Sequence, residues 1–215
     1  MSVADFMTKK LITAQPTTRI NDAVDLMKEH DIHRLPVLDG GKLVGLVTEG
    51  IIQRALPSKA TSLSVYEVNY LLTKTTVADI MEKDVLTTPS NVVLEDAIYT
   101  MRKHNIGVLP VVDDGALVGI ITNNDIFDAF LNVAGYNEGG TSVSVRVTKD
   151  EAGFLARVGN ALATKNYNIL TLMVTKRDNE KEVELHVDTK DAASVTKVLQ
   201  DAKFDVTAVT SAQKA

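Results

Sequence analysis

The opening stretch of the chain alternates between two hydrophobic periods. Leu11 to Ala14 reads as a strand, and Ile20, Ala23, Val24 and Met27 then recur at helical spacing, giving one apolar stripe. A hairpin follows, with Asp39-Gly40-Gly41 as its turn, and its second arm runs Leu43-Val44-Gly45-Leu46-Val47-Thr48 into another helix. The same order returns further on. Leu94, Ala97, Ile98 and Met101 repeat the stripe, Asp113-Asp114-Gly115 repeats the turn, and Leu117-Val118-Gly119-Ile120-Ile121-Thr122 repeats the arm. On such stripes Met27 and Met101 are core residues rather than a ligand surface.

The correspondence is an internal duplication. Val3-Ala4-Asp5-Phe6-Met7 matches Val77-Ala78-Asp79-Ile80-Met81, and Leu35-Pro36-Val37 matches Leu109-Pro110-Val111, always 74 residues apart. About 22 of 54 aligned positions are identical without a gap, far more than shared secondary structure produces. Between the copies Pro57-Ser58 breaks a helix, and Ser64-Val65-Tyr66-Glu67 is a capping box that opens another, with apolar Val65, Val68, Leu71 and Leu72.

Each copy ends with a strand that runs into a helix start, and the two starts differ. In the second, Thr122-Asn123-Asn124-Asp125 admits two readings. As a capping box, Thr122 and Asp125 satisfy each other's backbone N–H groups. As a binding site, the Thr122 hydroxyl and the N–H groups at Asn123 and Asn124 hold a phosphate at the positive helix end, while Asp125 accepts from a ribose diol. Gly119 lets something approach the backbone closely. The first copy keeps the glycine and threonine but has Ile51 in place of the carboxylate. Before the first hairpin comes His33-Arg34, where the second copy has Gly107-Val108. Arg34 is costly to bury unpaired, so it is either solvated or facing an anion.

Beyond Leu131 the period changes again. Ala134-Gly135-Tyr136-Asn137-Glu138-Gly139-Gly140 reads as a linker. Val143, Val145 and Val147 alternate with polar residues, as do Val183, Leu185 and Val187. Phe154, Val158 and Leu162 make one helical face, and Val195, Val198 and Leu199 another. The order strand, helix, strand, strand, helix, strand is the ferredoxin-like βαββαβ arrangement. The domain boundaries are 1–56 for the first repeat, 57–76 for a linker with a helix, 77–131 for the second repeat, 132–140 for a second linker and 141–211 for the last domain.

Composition narrows the function. The 215 residues carry a net charge of −5, which argues against a general nucleic-acid binder. There is no cysteine, which excludes disulfides and thiol chemistry and fits a reducing cytoplasm. No run approaches the roughly 18 apolar residues of a membrane helix, so neither membrane nor nucleic acid is an expected partner, and a cytoplasmic protein is. The four histidines, His30, His33, His104 and His186, lack metal-site spacing, and His30 and His104 suit helix C-termini. No metal is expected. An enzyme is poorly supported, with no nucleophile elbow and no phosphate loop.

The repeated unit resembles a CBS domain: an entry segment ending in Met, a helix with Asp-Ala, Leu-Pro-Val, and a glycine strand ending in Thr with Asp three residues on. The resemblance covers about 3 to 131. It implies a tandem pair with pseudo-two-fold symmetry, α/β in class, whose clefts bind adenine nucleotides. Carried onto this chain, Thr122, Asn123 and Asn124 would hold phosphate and Asp125 the ribose. Thr88, Pro89, Val108, Leu109 and Pro110 would form the adenine slot, and His33 and Arg34 would complete the phosphate end. The ligand would be AMP, ADP, ATP or cyclic di-AMP, with the strong site at Asp125 and the cleft near Ile51 empty or weaker.

Residues 141 to 211 resemble an ACT domain through Asp150-Glu151-Ala152-Gly153-Phe154-Leu155 and Asn166-Tyr167-Asn168-Ile169. That likeness implies an amino-acid site lined by Asp150, Gly153, Phe154, Leu155, Asn168 and Ile169. Equally, Gly153 only permits a tight turn, Asn168 caps one, and the domain dimerises without ligand. The whole layout is similar to the acetoin-utilisation regulatory proteins. The expected function is a non-enzymatic sensor, homodimeric, acting on an unidentified protein; the alternative is a ligand-free dimeric interaction module.

Overall fold

The computed structural model describes residues 1–55, 74–136, 138–147, 152–177 and 180–212, which form two compact units, Met1–Ile126 and Phe127–Ala215. The expected helix from Tyr66 and the expected ligand residue Asp150 lie outside the described residues.

The first unit contains both repeats. The first comprises α1 (Val3–Phe6), α2 (Ile20–Glu29), the hairpin β1 (Arg34–Asp39) and β2 (Lys42–Thr48), and α3 (Glu49–Ala55). The second comprises α4 (Val77–Ile80), α5 (Leu94–His104), β3 (Val108–Asp113), β4 (Ala116–Thr122) and α6 (Asn123–Val133). From Phe127 on, α6 belongs to the second unit, so the compact division falls before the linker expected at 132–140. The hairpins share one register: Arg34 pairs Thr48 and Val108 pairs Thr122, each with a bulge at the equivalent place. Both turns use positive φ, at Gly40 and Gly41 and at Asp114 and Gly115, as two-residue hairpin loops require.

Leu11 to Ala14 does not form a full strand. Only Ala14 bridges, in parallel, to Val37; its N–H donates to the Pro36 carbonyl and its own carbonyl accepts from Leu38. Thr88 bridges Val111 in the same way. The methionine stripes are core as expected, with Met27 and Met101 buried.

The entry segments cross over. Val3 and Ala4 donate to the carbonyls of Val92 and Ser90, and Val77 and Ala78 donate to those of Thr18 and Pro16. Val77 is fully buried in the core of the first repeat, with Ala14, Ile20, Met27, Leu35, Val37, Val47 and Ile52. Val3, equally buried, is held at the start of the second repeat's helix. Burying such a side chain is worth about 1.5–3 kcal/mol, so each repeat contributes to the stability of the other. Further on, Thr8 pairs with Ile120 and Glu82 with Leu46. Leu46, Val108 and Ile120 make the apolar seam between the repeats, flanked by Leu11 and Val85.

The crossing explains the repeated glycine. A Cβ on Gly45 would lie 2.5 Å from Met81 Sδ and 2.9 Å from the Glu82 carbonyl oxygen, and one on Gly119 would overlap Met7 Sδ. What approaches Gly119 is the other repeat's methionine.

The second unit is ferredoxin-like. β5 (Gly140–Val147), α7 (Phe154–Ala163), β6 (Ile169–Arg177), β7 (Glu180–Val187), α8 (Ala192–Asp201) and β8 (Asp205–Ala212) build an antiparallel sheet in the order β6-β7-β5-β8. Val143, Val145, Val183, Leu185 and Val187 on one sheet face pack with Val158, Leu162, Val195 and Leu199 of the helices. Phe154 meets Phe204 edge to face, 5.4 Å between centroids.

Candidate functional site

Between the repeats, where β1 meets α3, lies a cavity of about 470 Å³. That is within the range of about 300 to 1,000 Å³ typical of small-molecule sites. Leu46, Ile51, Ile106 and Val108 supply apolar wall, and His33, Arg34, Thr48, Glu49, Arg54, Glu82 and Asn105 supply polar groups. His33 Nδ1 is 3.1 Å from Glu49 Oε2, on exposed side chains. Two arginines and two glutamates therefore face one space, which suits a ligand bearing both anionic and hydrogen-bond-donating groups.

The start of α6 is arranged differently. Asp125 Oδ2 accepts from Thr122 N at 2.7 Å and from Thr122 Oγ1 at 2.6 Å, and Oδ1 accepts from Thr8 Oγ1 at 3.1 Å. The capping geometry is thus present, and the carboxylate also ties the first repeat's entry segment to the second repeat's helix. A carboxylate has roughly four acceptor positions, so it retains capacity for a ligand hydroxyl. Similar caps close α1 and α4: Asp5 accepts from Ser2 N at 2.7 Å, and Asp79 from Thr76 N and Oγ1 at 2.8 Å each. The backbone hydrogen bond from Ser2, then its side chain, lowers the Asp5 pKa from the ordinary carboxylate value, and Thr76 does the same for Asp79. At α3 Thr48 still caps, its Oγ1 accepting from Ile51 N at 3.2 Å, but Ile51 has no carboxylate to return the bond.

Arg34 connects the two places. It lines the cavity, and its Nη2 lies 3.2 Å from where a Cβ on Gly107 would stand, with Asn123 Nδ2 at 3.1 Å from the same point. A first-repeat arginine and the second repeat's helix start therefore converge over a glycine that a side chain there would crowd.

The expected site residues do not all gather. His33, Arg34 and Val108 share the cavity, Arg34 also approaches Asn123, and Thr122 and Asp125 are joined to Thr8. Asn124 is exposed on the first turn of α6. Leu109 is fully buried, Pro110 is buried beside it, and Thr88 is buried with its N–H on the Pro110 carbonyl; Pro89 is exposed. None of these four lines the cavity. Glu49, Arg54, Glu82 and Asn105 do line it and carried no motif of their own. The 74-residue offset, which makes Glu82 the counterpart of Thr8 and Asn105 that of Asp31, was the available signal.

In the second unit Gly153 takes φ 84° at the N-terminus of α7, as a tight turn demands, and Phe154 is partly buried while Leu155 is exposed. Asn168 N donates to Asp188 Oδ1 at 2.8 Å, and Ile169 packs on the core. No hydrogen bond among the described residues joins the Gly153 turn to Asn168.

Comparison with known proteins places these features. The CBS domain family matches residues 3–58 and 77–132, and the ACT domain family matches 141–204. The chain is 34% identical over 125 residues to the CBS domain-containing protein YhcV of Bacillus subtilis, spanning 58% of this chain and 82% of that one. It is 35% identical over 159 residues to inosine-5'-monophosphate dehydrogenase of Korarchaeum cryptofilum, but spans only 28% of that enzyme. Among solved structures it resembles a putative acetoin utilization protein, AcuB, from Vibrio cholerae, with TM-score 0.54 and 32% identity over 64% of this chain and 96% of that one. CBSX2 in complex with AMP gives TM-score 0.53 at 33% identity, over 61% and 97%. The CBS domain pair of MJ0100 with 5'-methylthioadenosine and S-adenosyl-L-methionine gives 0.51 at 32% identity, over 61% and 97%. No helix among the described residues is long and apolar enough to cross a membrane.

Proposed function

Since the chain belongs to the CBS domain family and carries an ACT domain, we propose that it is a regulatory sensor that binds an adenine nucleotide between its repeats and catalyses no reaction. The observation that carries this reading is the convergence of Arg34 from one repeat with Asn123 at the helix start of the other. There a phosphate meets the Arg34 guanidinium and the Asn123 side-chain amide, while the Asn123 N–H expected to hold it is donated to the Gly107 carbonyl at 3.3 Å; a charge-assisted bond is worth about 1.5–3 kcal/mol. Asp125 takes the ribose diol on its free acceptor positions, the Thr8 hydroxyl giving way at Oδ1. Val108 contributes apolar wall, and Leu109, Pro110 and Thr88 back it from the interior. His33 stands beside Arg34 at the phosphate end.

A second placement is favoured by the cavity itself. On the Ile51 side, Glu49 and Glu82 offer ribose acceptors and Arg34 and Arg54 offer phosphate donors, with Leu46 and Ile51 as wall. Arg34 serves both placements; Asp125 serves only the first.

The bound state is passed on through oligomer contacts of a homodimer in an otherwise unidentified protein complex, with the second unit as the assembly element or an amino-acid sensor. Thermal unfolding of the full chain with AMP, ADP, ATP, cyclic di-AMP, 5'-methylthioadenosine and S-adenosylmethionine tests the reading, since a ligand stabilises by RT ln(1 + [L]/Kd). A rise in Tm that saturates with an adenine ligand is expected. No shift with any of them at millimolar concentration leaves the interaction-module alternative standing.

A further inference from the structure

The sheet of the second unit has a polar face opposite its helices. Ser142, Ser144, Glu184 and His186 alternate with the buried core residues and so point away from α7 and α8. Across the strands His186 pairs with Ser142 and Thr171, and Glu184 pairs with Ser144 and Met173. Over this patch stands a cavity of about 260 Å³, rimmed by Phe130, Ala134 and Tyr136. It is smaller than a drug-sized site. Gly135, at φ 69°, closes down on Thr171 and His186, where a Cβ would come within 3.0 Å of the threonine methyl.

The polar groups in the cavity are unequally satisfied. His186 is buried, with Nε2 against the Gly139 carbonyl oxygen and Nδ1 3.0 Å from Ser142 Oγ. A carbonyl only accepts, so Nε2 donates to it and Nδ1 is engaged with the Ser142 hydroxyl, whose oxygen keeps at least one free lone pair. Glu184 is the opposite case: half-buried, it has no hydrogen bond or ion pair among the described residues. Its neighbours on the same face are served. Glu182 accepts from Thr207 at 3.1 Å, and Arg146 lies 3.1 Å from Glu180 and 3.6 Å from Asp205. The Glu184 carboxylate therefore keeps its acceptor positions open to a donor in the cavity. Phe130 and Tyr136 stand at the rim, and an aromatic ring attracts a cation over its face.

We propose that this cavity binds a small primary amine with a short apolar body. The ammonium pairs with the Glu184 carboxylate and donates to the oxygens of Ser142 and Ser144, and the body lies against Phe130, Tyr136 and Met173. The site rejects the corresponding amino acids, because their carboxylate would face Glu184 with no lysine or arginine in the cavity to receive it. It is separate from the Gly153 and Asn168 positions and does not depend on the nucleotide reading.

Calorimetric titration of the full chain with isoamylamine and phenethylamine, against leucine, phenylalanine and isoamyl alcohol, tests it. Both amines are expected to bind saturably, about tenfold or more tighter than the three controls, in line with a charge-assisted pair. Glu184→Gln should weaken the amines by a similar factor with an unchanged circular dichroism spectrum, and Ser144→Leu should remove binding by filling the floor from the neighbouring strand. Absence of saturable amine binding, equal binding of amine and amino acid, or undiminished binding by the Glu184→Gln protein each overturns the proposal.

Discussion

The two repeats end in helix starts that share a threonine and differ at the third residue beyond it. At α6, Asp125 folds back onto Thr122 and reaches across to Thr8, so the start is capped by its own carboxylate. At α3, Ile51 can only donate its N–H to Thr48, and the start opens onto the cavity with Glu49 and Glu82 nearby. The other two short helices follow the α6 pattern through Asp5 and Asp79. Three of these four starts are therefore capped alike, and the exception adjoins the open space. One residue decides whether a helix start carries a carboxylate of its own, so the two copies present different groups to a ligand.

Binding measurements break the comparison most directly. Arg34→Ala should weaken AMP or ATP by about 1.5–3 kcal/mol, roughly 10- to 100-fold, and barely affect adenosine. Equal losses for nucleotide and nucleoside in calorimetry would mean that the arginine supports the fold. Asp125→Ala should cause a loss of similar size if the ribose sits at α6. If the ligand sits on the Ile51 side, Glu82→Gln should cause that loss instead, and Asp125→Ala should cost only the cap, about 0.5–2 kcal/mol of stability. Stability and affinity measured on both variants decide between the two positions.

The glycines sharpen the comparison at the next level. Gly119→Ala and Gly45→Ala both overpack a methionine and should cost on the order of 1–3 kcal/mol in denaturant unfolding. They should respond differently to relief. Met7→Ala should recover much of the Gly119 loss, since the three atoms nearest the new methyl all belong to that side chain. Met81→Ala should recover less at Gly45, because the Glu82 carbonyl remains 2.9 Å from the new methyl. Equal recovery would show that the two crossings are interchangeable.

The smallest effect is acidic. The pKa values of Asp5 and Asp79 are lowered on folding, first by the backbone N–H of Ser2 and Thr76. Each therefore adds stability above the unfolded carboxylate pKa, and that contribution is lost as pH falls through the lower folded value. Asp79→Asn should flatten the acid limb of a Tm-against-pH curve slightly and leave the neutral region almost level. Both carboxylates are exposed, so the change should be small; a large shift near neutrality would point to some other group.

The sequence by itself determined the duplication, the hairpins and the βαββαβ order, because these depend on local quantities. Periods of 3.6 and 2 fix which residues share a face, and Gly40-Gly41 and Asp114-Gly115 permit the positive φ of the turns. It also showed that Thr122 and Asp125 belong together, since a cap joins residues three apart. Tertiary structure alone decided which repeat each entry segment packs on: the Val3 and Val77 segments have the same pattern, and nothing local tells a segment's own repeat from its copy. From that exchange followed Met7 against Gly119, Thr8 against Asp125 and Glu82 in the cavity wall. It also left Leu109, Pro110 and Thr88 in the interior of the second repeat rather than on the cavity, because the burial that seats them comes from contacts distant in the chain.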